Sequence, residues 1–198
     1  LTLVKSSNTL PSSGLEPVTI TAIVLDEFNG ALPDILVTFA TDSGSLSSST
    51  VLTDANGRAE VTLSTAGDPA NRTITVGAQA GTTGDSPVGG ITVDVAGTEI
   101  VLTGPSALAI DDSAVYTLFL GDSNGQGLEG EEVTLNSENG NTIAAPTTVT
   151  GAGGTLEFTL TADVDGDDTL TATSLGASTV KAVTVSADSF SVIAPAAG

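Results

Sequence analysis

A turn and strand that occur twice, 97 positions apart, constrain this chain more than any other feature of its sequence. In the first copy, residues 53–65, Asn56-Gly57 is followed by apolar residues that alternate with polar ones. The second copy, residues 150–161, has a glycine-rich turn and the same alternation. Asn-Gly is the strongest short signal for a type I′ hairpin, in which both central residues need positive φ. We therefore predict two copies of one domain, each containing this hairpin.

The rest of the chain repeats in the same way. At an offset of 96, the predicted inward residues of one strand match an apolar set in the second half: Ile20, Ala22 and Val24 with Tyr116, Leu118 and Leu120. Short alternating strands, separated by turns about every 8–12 residues, are typical of β-sandwiches. We predict an all-β fold of two tandem immunoglobulin-like β-sandwiches with about seven strands each. The predicted domains are 1–97 and 98–188, and residues 189–198 begin a further repeat or form a tail.

The charge of the chain limits the classes of partner that it can bind. The formal net charge is −20. Residues 1–97 contribute 3 − 10 = −7 and residues 98–198 contribute 1 − 14 = −13. A surface this acidic repels nucleic acids and anionic membranes, and no apolar run is long enough to span a bilayer. We expect no nucleic-acid partner, no membrane insertion, and a monomer that is soluble in a saline exterior.

A family resemblance rests on the turn residues of the first copy. They are Asp26, Asn29-Gly30, Leu32-Pro33 and the strand Val37-Thr38-Phe39, followed by Thr53-Asp54, Asn56-Gly57 and Ala59. They resemble the bacterial immunoglobulin-like domain, group 1, the repeat that builds the stalks of invasin- and intimin-type outer-membrane adhesins. The second copy keeps Asp122, Gly125, Leu128 and Val133, but Glu129 stands in place of the Pro and Gly151 in place of the Asp.

The resemblance implies a structural stalk or spacer of a secreted or surface-anchored adhesin. Its location would be extracellular or on the outer-membrane-anchored cell surface, and we expect the chain to be a segment of a longer protein. Its partners would be neighbouring repeats of the same chain and a host-cell or surface receptor, bound through domains that this chain does not contain. The motif residues are turn formers, so no catalytic residue follows from the resemblance.

One acidic loop is a candidate metal site. Its carboxylates belong to Asp163, Asp165, Asp167 and Asp168, and Gly166 allows a tight bend between them. Carboxylate oxygens are the ligands that Ca²⁺ prefers, so calcium is the candidate ion, although the spacing is not that of an EF-hand. The alternative interpretation is a solvated acidic loop. Because the matching residues 66–71 lack the cluster, we expect that the fold does not need these acids or any cofactor.

Catalysis is not expected. The chain has no His and no Cys, which removes the commonest general base and the thiol nucleophile. The alternative function is a carbohydrate- or protein-binding module, calcium-dependent if the acidic loop binds an ion. Such a module needs an exposed apolar patch, for which Phe28, Phe119 and Phe190 are the candidates.

Overall fold

A computed structural model describes residues 1–81 and 88–187 of the chain. These residues divide into two compact units, one of Leu1–Glu99 with Asp122–Gln126 and the other of Ile100–Gly121 with the residues from Gly127 onward. Each unit is a sandwich of two β-sheets, so the predicted fold class is confirmed. No helix in the described ranges has the length and apolarity to cross a membrane. The predicted boundary at residue 188 and the segment 189–198, with Phe190, lie outside the described residues.

The first unit contains nine of the strands that the structure describes. In chain order they are β1 (Thr2–Lys5), β2 (Thr9–Pro11), β3 (Val18–Ile23), β4 (Leu36–Thr41), β5 (Ser45–Leu46), β6 (Thr50–Leu52), β7 (Arg58–Ser64), β8 (Arg72–Ala80) and β9 (Val88–Ala96). One sheet has the order β1-β3-β7-β5, and the other has the order β2-β9-β8-β4-β6.

The alternation of β7 explains how this sandwich closes. Ala59, Val61 and Leu63 are buried, whereas Glu60 between them is exposed. Because successive side chains of a strand point to opposite faces, a shift of one residue would bring Glu60 into the core. The facing sheet contributes Phe39 and its buried neighbours to the same apolar cluster. The alternation read from the sequence therefore fixes both the inward face and the register.

Two short strands of the first unit were absent from the predicted set of seven. Strand β2 pairs in parallel with β9, with Thr9 opposite Asp94, and Leu10 is fully buried. Strand β5 pairs with β7 over two residues. Segments of two or three residues are too short to show a period of two, and Pro11 at the end of β2 argues against a strand on sequence alone.

The predicted type I′ hairpin at Asn56-Gly57 is wrong. Strand β6 pairs with β4, whereas β7 pairs with β3 and β5, so the turn carries the chain from one sheet to the other. Gly57 has φ of 72°, but Asn56 is not among the residues with positive φ. The physical reason is Asp54, whose Oδ1 accepts the backbone N–H groups of Asn56 (2.8 Å) and Arg58 (2.9 Å). These bonds select a different turn, with only Gly57 in the left-handed region.

The second unit repeats the plan with eight strands in the described ranges. They are β10 (Glu99–Thr103), β11 (Ala107–Ala109), β12 (Ser113–Gly121), β13 (Thr134–Ser137), β14 (Thr142–Ala144), β15 (Thr155–Thr161), β16 (Gly166–Ser174) and β17 (Ala177–Ser186). The sheets have the orders β10-β12-β15-β14 and β11-β17-β16-β13. A single 3₁₀ turn, Ala152–Gly154, precedes β15.

An aromatic pair lies at the centre of the second unit. Tyr116 and Phe158 are buried and stacked, with ring centroids 5.5 Å apart and an interplanar angle of 15°. The Tyr116 hydroxyl donates a hydrogen bond to the Pro105 carbonyl at 2.8 Å. A buried phenol needs such a partner, so the core accepts this polar group without leaving it unsatisfied.

Candidate functional site

The structure places the four predicted calcium ligands in different surroundings. Asp163, Asp165 and Asp167 are exposed, whereas Asp168 is only 3% exposed. The carboxylate of Asp163 accepts the Thr142 N–H at 3.0 Å. Asp167 and Asp168 are adjacent in β16, so their side chains leave opposite faces of the sheet. Among residues 1–81 and 88–187, no group of three or more His, Cys, Asp or Glu side chains is arranged to hold a metal ion. Calcium binding by this loop stays a prediction.

Asp168 is the centre of a buried hydrogen-bond network. Its Oδ2 accepts the Ser137 hydroxyl and the Asn141 side-chain amide, each at 2.7 Å, and its Oδ1 accepts the Asn139 backbone N–H at 3.0 Å. Burial alone raises the pKa of Asp168, but these hydrogen bonds together outweigh it and hold the pKa below its ordinary value of 3.8. The carboxylate is therefore ionised, and both of its oxygens already accept hydrogen bonds.

The network ties two loops together. Asn141, which is 4% exposed, accepts the Val164 N–H at 2.9 Å through its side-chain oxygen. The side chain of Asn139 donates to the Asp165 carbonyl at 3.1 Å. The Ser137 oxygen accepts the backbone N–H of Asn141 at 2.9 Å. Within the described part of the chain, no buried side-chain nitrogen or oxygen lacks a hydrogen-bond partner. The polar groups of this loop thus serve the fold.

In the first unit, a residue of opposite charge joins the equivalent loops by hydrogen bonds. At the offset of 96, Arg72 corresponds to Asp168. Its guanidinium donates to the carbonyls of Thr65 (3.2 Å), Asp68 (3.1 Å) and Ala70 (2.9 Å), and it forms an ion pair with the Asp68 carboxylate at 3.1 Å. The expectation that the fold does not need the acids of the second loop is therefore wrong for Asp168. The first copy lacks that acid because Arg72 ties its loops instead.

The family-motif aspartates each build the same turn. In all three turns the Asp Oδ1 accepts the N–H groups of the second and fourth residues after it, and the Asp N–H donates to the carbonyl of the fourth. The acceptors are Asp26 (2.8 and 2.7 Å), Asp54 (2.8 and 2.9 Å) and Asp122 (2.8 and 2.9 Å). These bonds, above all the one from the Arg58 N–H, lower the pKa of Asp54 below its ordinary value. The motif residues are turn formers, as the sequence indicated.

The fourth turn shows what the missing Asp changes. Gly151 stands where the other turns have Asp, and its N–H still donates to the Thr155 carbonyl at 2.7 Å. No side chain is present to accept further N–H groups, and Gly153 and Gly154 both have positive φ, 73° and 71°. A Cβ on Gly154 would lie 2.3 Å from the Leu120 carbonyl oxygen. The backbone passes so close to β12 that only glycine fits there.

The candidate aromatic contacts differ in exposure. Phe28 lies in the Asp26 turn and is 82% exposed, the most exposed large apolar side chain of the described residues. Phe119 is half-buried on the outward face of β12. Phe190 lies outside the described ranges. An open depression of about 460 Å³ in the second unit is lined by Glu132, Thr134 and residues 173–178. It holds one carboxylate, from Glu132, and no second acid faces it.

The sequence matches the model of one protein family over both units. The description of that family is the bacterial Ig-like domain (group 1), and the match covers residues 1–96 and 111–188. The chain belongs to this family. The resemblance that the turn residues indicated is therefore confirmed, and it extends to the second unit, in which several motif residues differ.

Solved structures that are similar to this chain include an adhesin, a part of intimin and invasin. The Yersinia pseudotuberculosis adhesin InvE is 18% identical, with a TM-score of 0.55, over 93% of this chain and 58% of that chain. The D0-D1 domain of intimin is 20% identical over 92% and 96%, with a TM-score of 0.43. Invasin, described as a bacterial integrin-binding protein, is 22% identical over 95% and 40%, with a TM-score of 0.48. This chain thus spans little more than half of the InvE structure, and at these identities the likeness concerns the fold alone. No curated protein sequence gives a significant match.

Proposed function

We propose that this chain is a structural stalk or spacer segment of a bacterial cell-surface or secreted adhesin, without catalytic activity. The observation that carries the proposal is the use of the conspicuous polar residues: Asp26, Asp54, Asp122 and Asp168 all hydrogen-bond within their own loops. Side chains committed in this way stabilise turns and are not free to act on a substrate. Membership of a repeat family found in two consecutive units supports the same interpretation.

The proposed role is mechanical. Each unit has a core of buried aliphatic residues, and each fully buried Val, Leu or Ile contributes about 1.5–3 kcal/mol. The net charge of −20 keeps the surface soluble where salt screens self-repulsion. We propose an extracellular or outer-membrane-anchored location, neighbouring repeats as direct partners, and a receptor contacted through other domains of the intact protein.

Exchange of the segment within the intact surface protein tests the stalk proposal. Deletion of the two units should reduce adhesion of the cells that display the protein, because a binding domain would then lie closer to the surface. Replacement by an unrelated tandem β-sandwich of the same length should restore adhesion. If the replacement is displayed equally well but fails to restore adhesion, the surface of this chain is itself required and the proposal is wrong.

A second candidate function is a binding module for a carbohydrate or protein. The observation that favours it is Phe28, whose ring is 82% exposed, because aromatic side chains are enriched at protein interfaces. Binding to an immobilised glycan panel or to host-cell surfaces should then fall in Phe28→Ala and remain in Phe119→Ala, whose ring is half-buried. Equal binding by both variants and the unaltered chain would exclude Phe28 as the contact.

Calcium dependence is tested by thermal unfolding in EDTA, Mg²⁺ and Ca²⁺. A specific ion at 100 times its Kd stabilises its domain by about 2.7 kcal/mol. If the loop binds Ca²⁺, only that ion should raise the melting temperature of the second unit, and Asp165→Ala/Asp167→Ala should abolish the rise. This double variant leaves the Asp168 network intact, so the loss would report on ligands and not on folding. Three superimposed curves would refute the calcium site.

A further inference from the structure

The two units differ at one edge of their sandwiches. In the first unit β6 covers the outer side of β4, with Val51 opposite Val37, and the Phe39 N–H donates to the Ser49 carbonyl at 2.8 Å. Val51 is half-buried and packs against the core of the first unit. The edge of β4 is thus closed by a strand that supplies both main-chain hydrogen bonds and an aliphatic side chain.

The second unit lacks this covering strand. At the offset of 97, Pro146 corresponds to Ser49 and Thr148 to Val51. The segment around them forms no strand. It pairs with residues 130–133 through the isolated bridge between Glu132 and Val149 and through main-chain hydrogen bonds that include Val133 N–H to the Thr148 carbonyl (2.8 Å) and Thr150 N–H to the Glu131 carbonyl (2.9 Å), and none of these bonds reaches Leu135. Proline is a poor strand residue because it cannot donate to the ladder, and Thr has less affinity than Val for an apolar wall. Both substitutions disfavour a strand at these positions.

The loss leaves an open main-chain edge on β13. Glu138 donates its N–H to the Thr169 carbonyl, and the β13–β16 register places Asn136 opposite Thr171. Because antiparallel residues alternate in the side to which they hydrogen-bond, the N–H and C=O groups of Leu135 and Ser137 face away from β16. The hydrogen bond that Phe39 makes to Ser49 has no counterpart at Leu135 among the described residues.

A cleft of about 390 Å³ runs beside this edge. Four apolar residues, Val133, Leu135, Ile143 and Ala145, line it together with the polar residues Glu132, Thr134 and Thr148. The cleft lies between β13 of one sheet and the end of β14 in the other. Thr148, the counterpart of Val51 in the sequence repeat, lines this cleft.

We propose that the open edge of β13 binds an extended peptide strand that has alternating aliphatic and basic or neutral residues. The unpaired main-chain groups of Leu135 and Ser137 require a partner in an extended conformation. The aliphatic side chains of that partner would pack against the apolar residues of the cleft. Glu131, Glu132 and Glu138 flank the edge, and residues 98–198 carry fourteen acids and one Lys, so positive charge on the peptide is favoured. A second copy of the chain, at −20, is repelled.

The first test uses a synthetic decapeptide in which valine alternates with lysine and threonine. Titration into the isotope-labelled full chain should shift the backbone amide signals of residues 132–138 and leave those of β4 and β6 unchanged. A peptide that is N-methylated at every second residue on the edge facing β13 should bind at least about tenfold more weakly, because each methyl removes a main-chain hydrogen bond. The isomer that is methylated on the opposite edge should bind like the parent peptide.

The second test restores the missing strand. Ala145→Ser, Pro146→Ser, Thr148→Val and Val149→Leu copy residues 48–52 of the first unit onto the second. The grafted segment should occupy the edge of β13 and abolish peptide binding, while Phe28→Ala, a change in the first unit, should bind normally. The N-methyl comparison uses the unaltered chain, so it decides the question even if the graft fails to fold.

Three outcomes would overturn the proposal. The first is equal binding of the two methylated isomers, and the second is the absence of any shift in the amide signals of residues 132–138 at millimolar peptide. The third is the appearance of the same signal shifts when the chain alone is concentrated, which would identify a second copy as the occupant. The proposal does not depend on the stalk role, because the titration measures peptide binding to the chain in solution and not adhesion of cells.

Discussion

Replacement of Asp168 by Asn should destabilise the second unit far more than its size suggests. Asn has nearly the same shape as Asp, but one of its two terminal groups is a donor. If that amide takes the place of Oδ1, it faces the Asn139 N–H; if it takes the place of Oδ2, it faces the Asn141 side-chain amide. In either orientation two donors meet in a site that is 3% exposed.

The magnitude follows from the hydrogen bonds that are lost. A buried donor without an acceptor costs about 1–3 kcal/mol, and the remaining bonds lose the contribution of the negative charge. We expect a decrease of about 3 kcal/mol in the free energy of unfolding of the second unit. For a domain of this size that corresponds to a melting temperature lower by roughly 12–24 °C.

Tyrosine fluorescence isolates this effect. Tyr116 is the only Tyr, the chain has no Trp, and the ring lies in the core of the second unit. Its emission during chemical or thermal unfolding therefore reports on that unit alone. The control is Asp167→Asn, at an exposed position where the carboxylate accepts only the Thr184 hydroxyl, 2.9 Å. Equal stability of Asp168→Asn and Asp167→Asn would refute the network argument.

The pH dependence of Asp168 provides a second check. Its pKa in the folded state lies below the ordinary value of 3.8, so the folded state binds this proton more weakly than the unfolded state does. The stabilisation is complete above the ordinary pKa and is lost as the pH falls through the depressed one. Unfolding monitored by Tyr116 should thus become easier below about pH 4, and Asp168→Asn should lack this part of the pH dependence. Parallel pH profiles for variant and parent would contradict the assignment.

Three further predictions use the same Tyr116 signal. Gly154→Ala should reduce stability by at least about 1.5 kcal/mol more than Gly153→Ala. Both residues have positive φ, but a Cβ on Gly154 would lie 2.3 Å from a carbonyl oxygen, whereas a Cβ on Gly153 would have no atom within 4 Å. Equal melting temperatures of the two variants would disprove the close approach. Gly151→Asp supplies the carboxylate acceptor that the other three turns have and should raise stability by about 1 kcal/mol, with Gly151→Ala as the control that supplies no acceptor. Burial, reinforced by the Asp168 charge, raises the pKa of Tyr116 above 10.0. Tyrosinate absorbance should therefore appear only above that pH and together with unfolding. A reversible titration of the folded chain at the ordinary pKa would show instead that the phenol is accessible.

The sheets were predictable because burial imposes a period of two. Val61 and Leu63 alternate with polar residues, and the same positions recur in Phe158 and Leu160. The partner of each strand was less visible. The Asn56-Gly57 dipeptide carries the local signal of a hairpin, but the side chain of Asp54 hydrogen-bonds two N–H groups and selects another turn. The strands on either side then belong to different sheets, which a local pattern does not encode.

The acidic residues of the candidate site could be recognised in the sequence, but the arrangement of their side chains could not be predicted from it. Four acids in six residues indicated a loop, but only Asp163 and Asp165 lie in one, because β16 begins at Gly166 and contains Asp167 and Asp168. Which of the four would be buried depended on the donors around it. Ser137, Asn139 and Asn141 lie about thirty positions earlier in the sequence, and they are brought to Asp168 only by the pairing of β13 with β16. Spacing within the acidic run carries no information about them.

The comparison of Arg72 with Asp168 shows why a missing residue in one repeat is weak evidence about its role in the other. Arg72 is the first residue of β8 and Asp168 is the third residue of β16, and each hydrogen-bonds to loops next to its strand. Around Arg72 the loops offer carbonyl oxygens, and around Asp168 they offer N–H and O–H groups. In both repeats a charged residue hydrogen-bonds to the polar groups of the nearby loops. Its charge is positive where those groups are acceptors and negative where they are donors. Equivalent positions therefore share a structural role even where an alignment shows opposite chemistry.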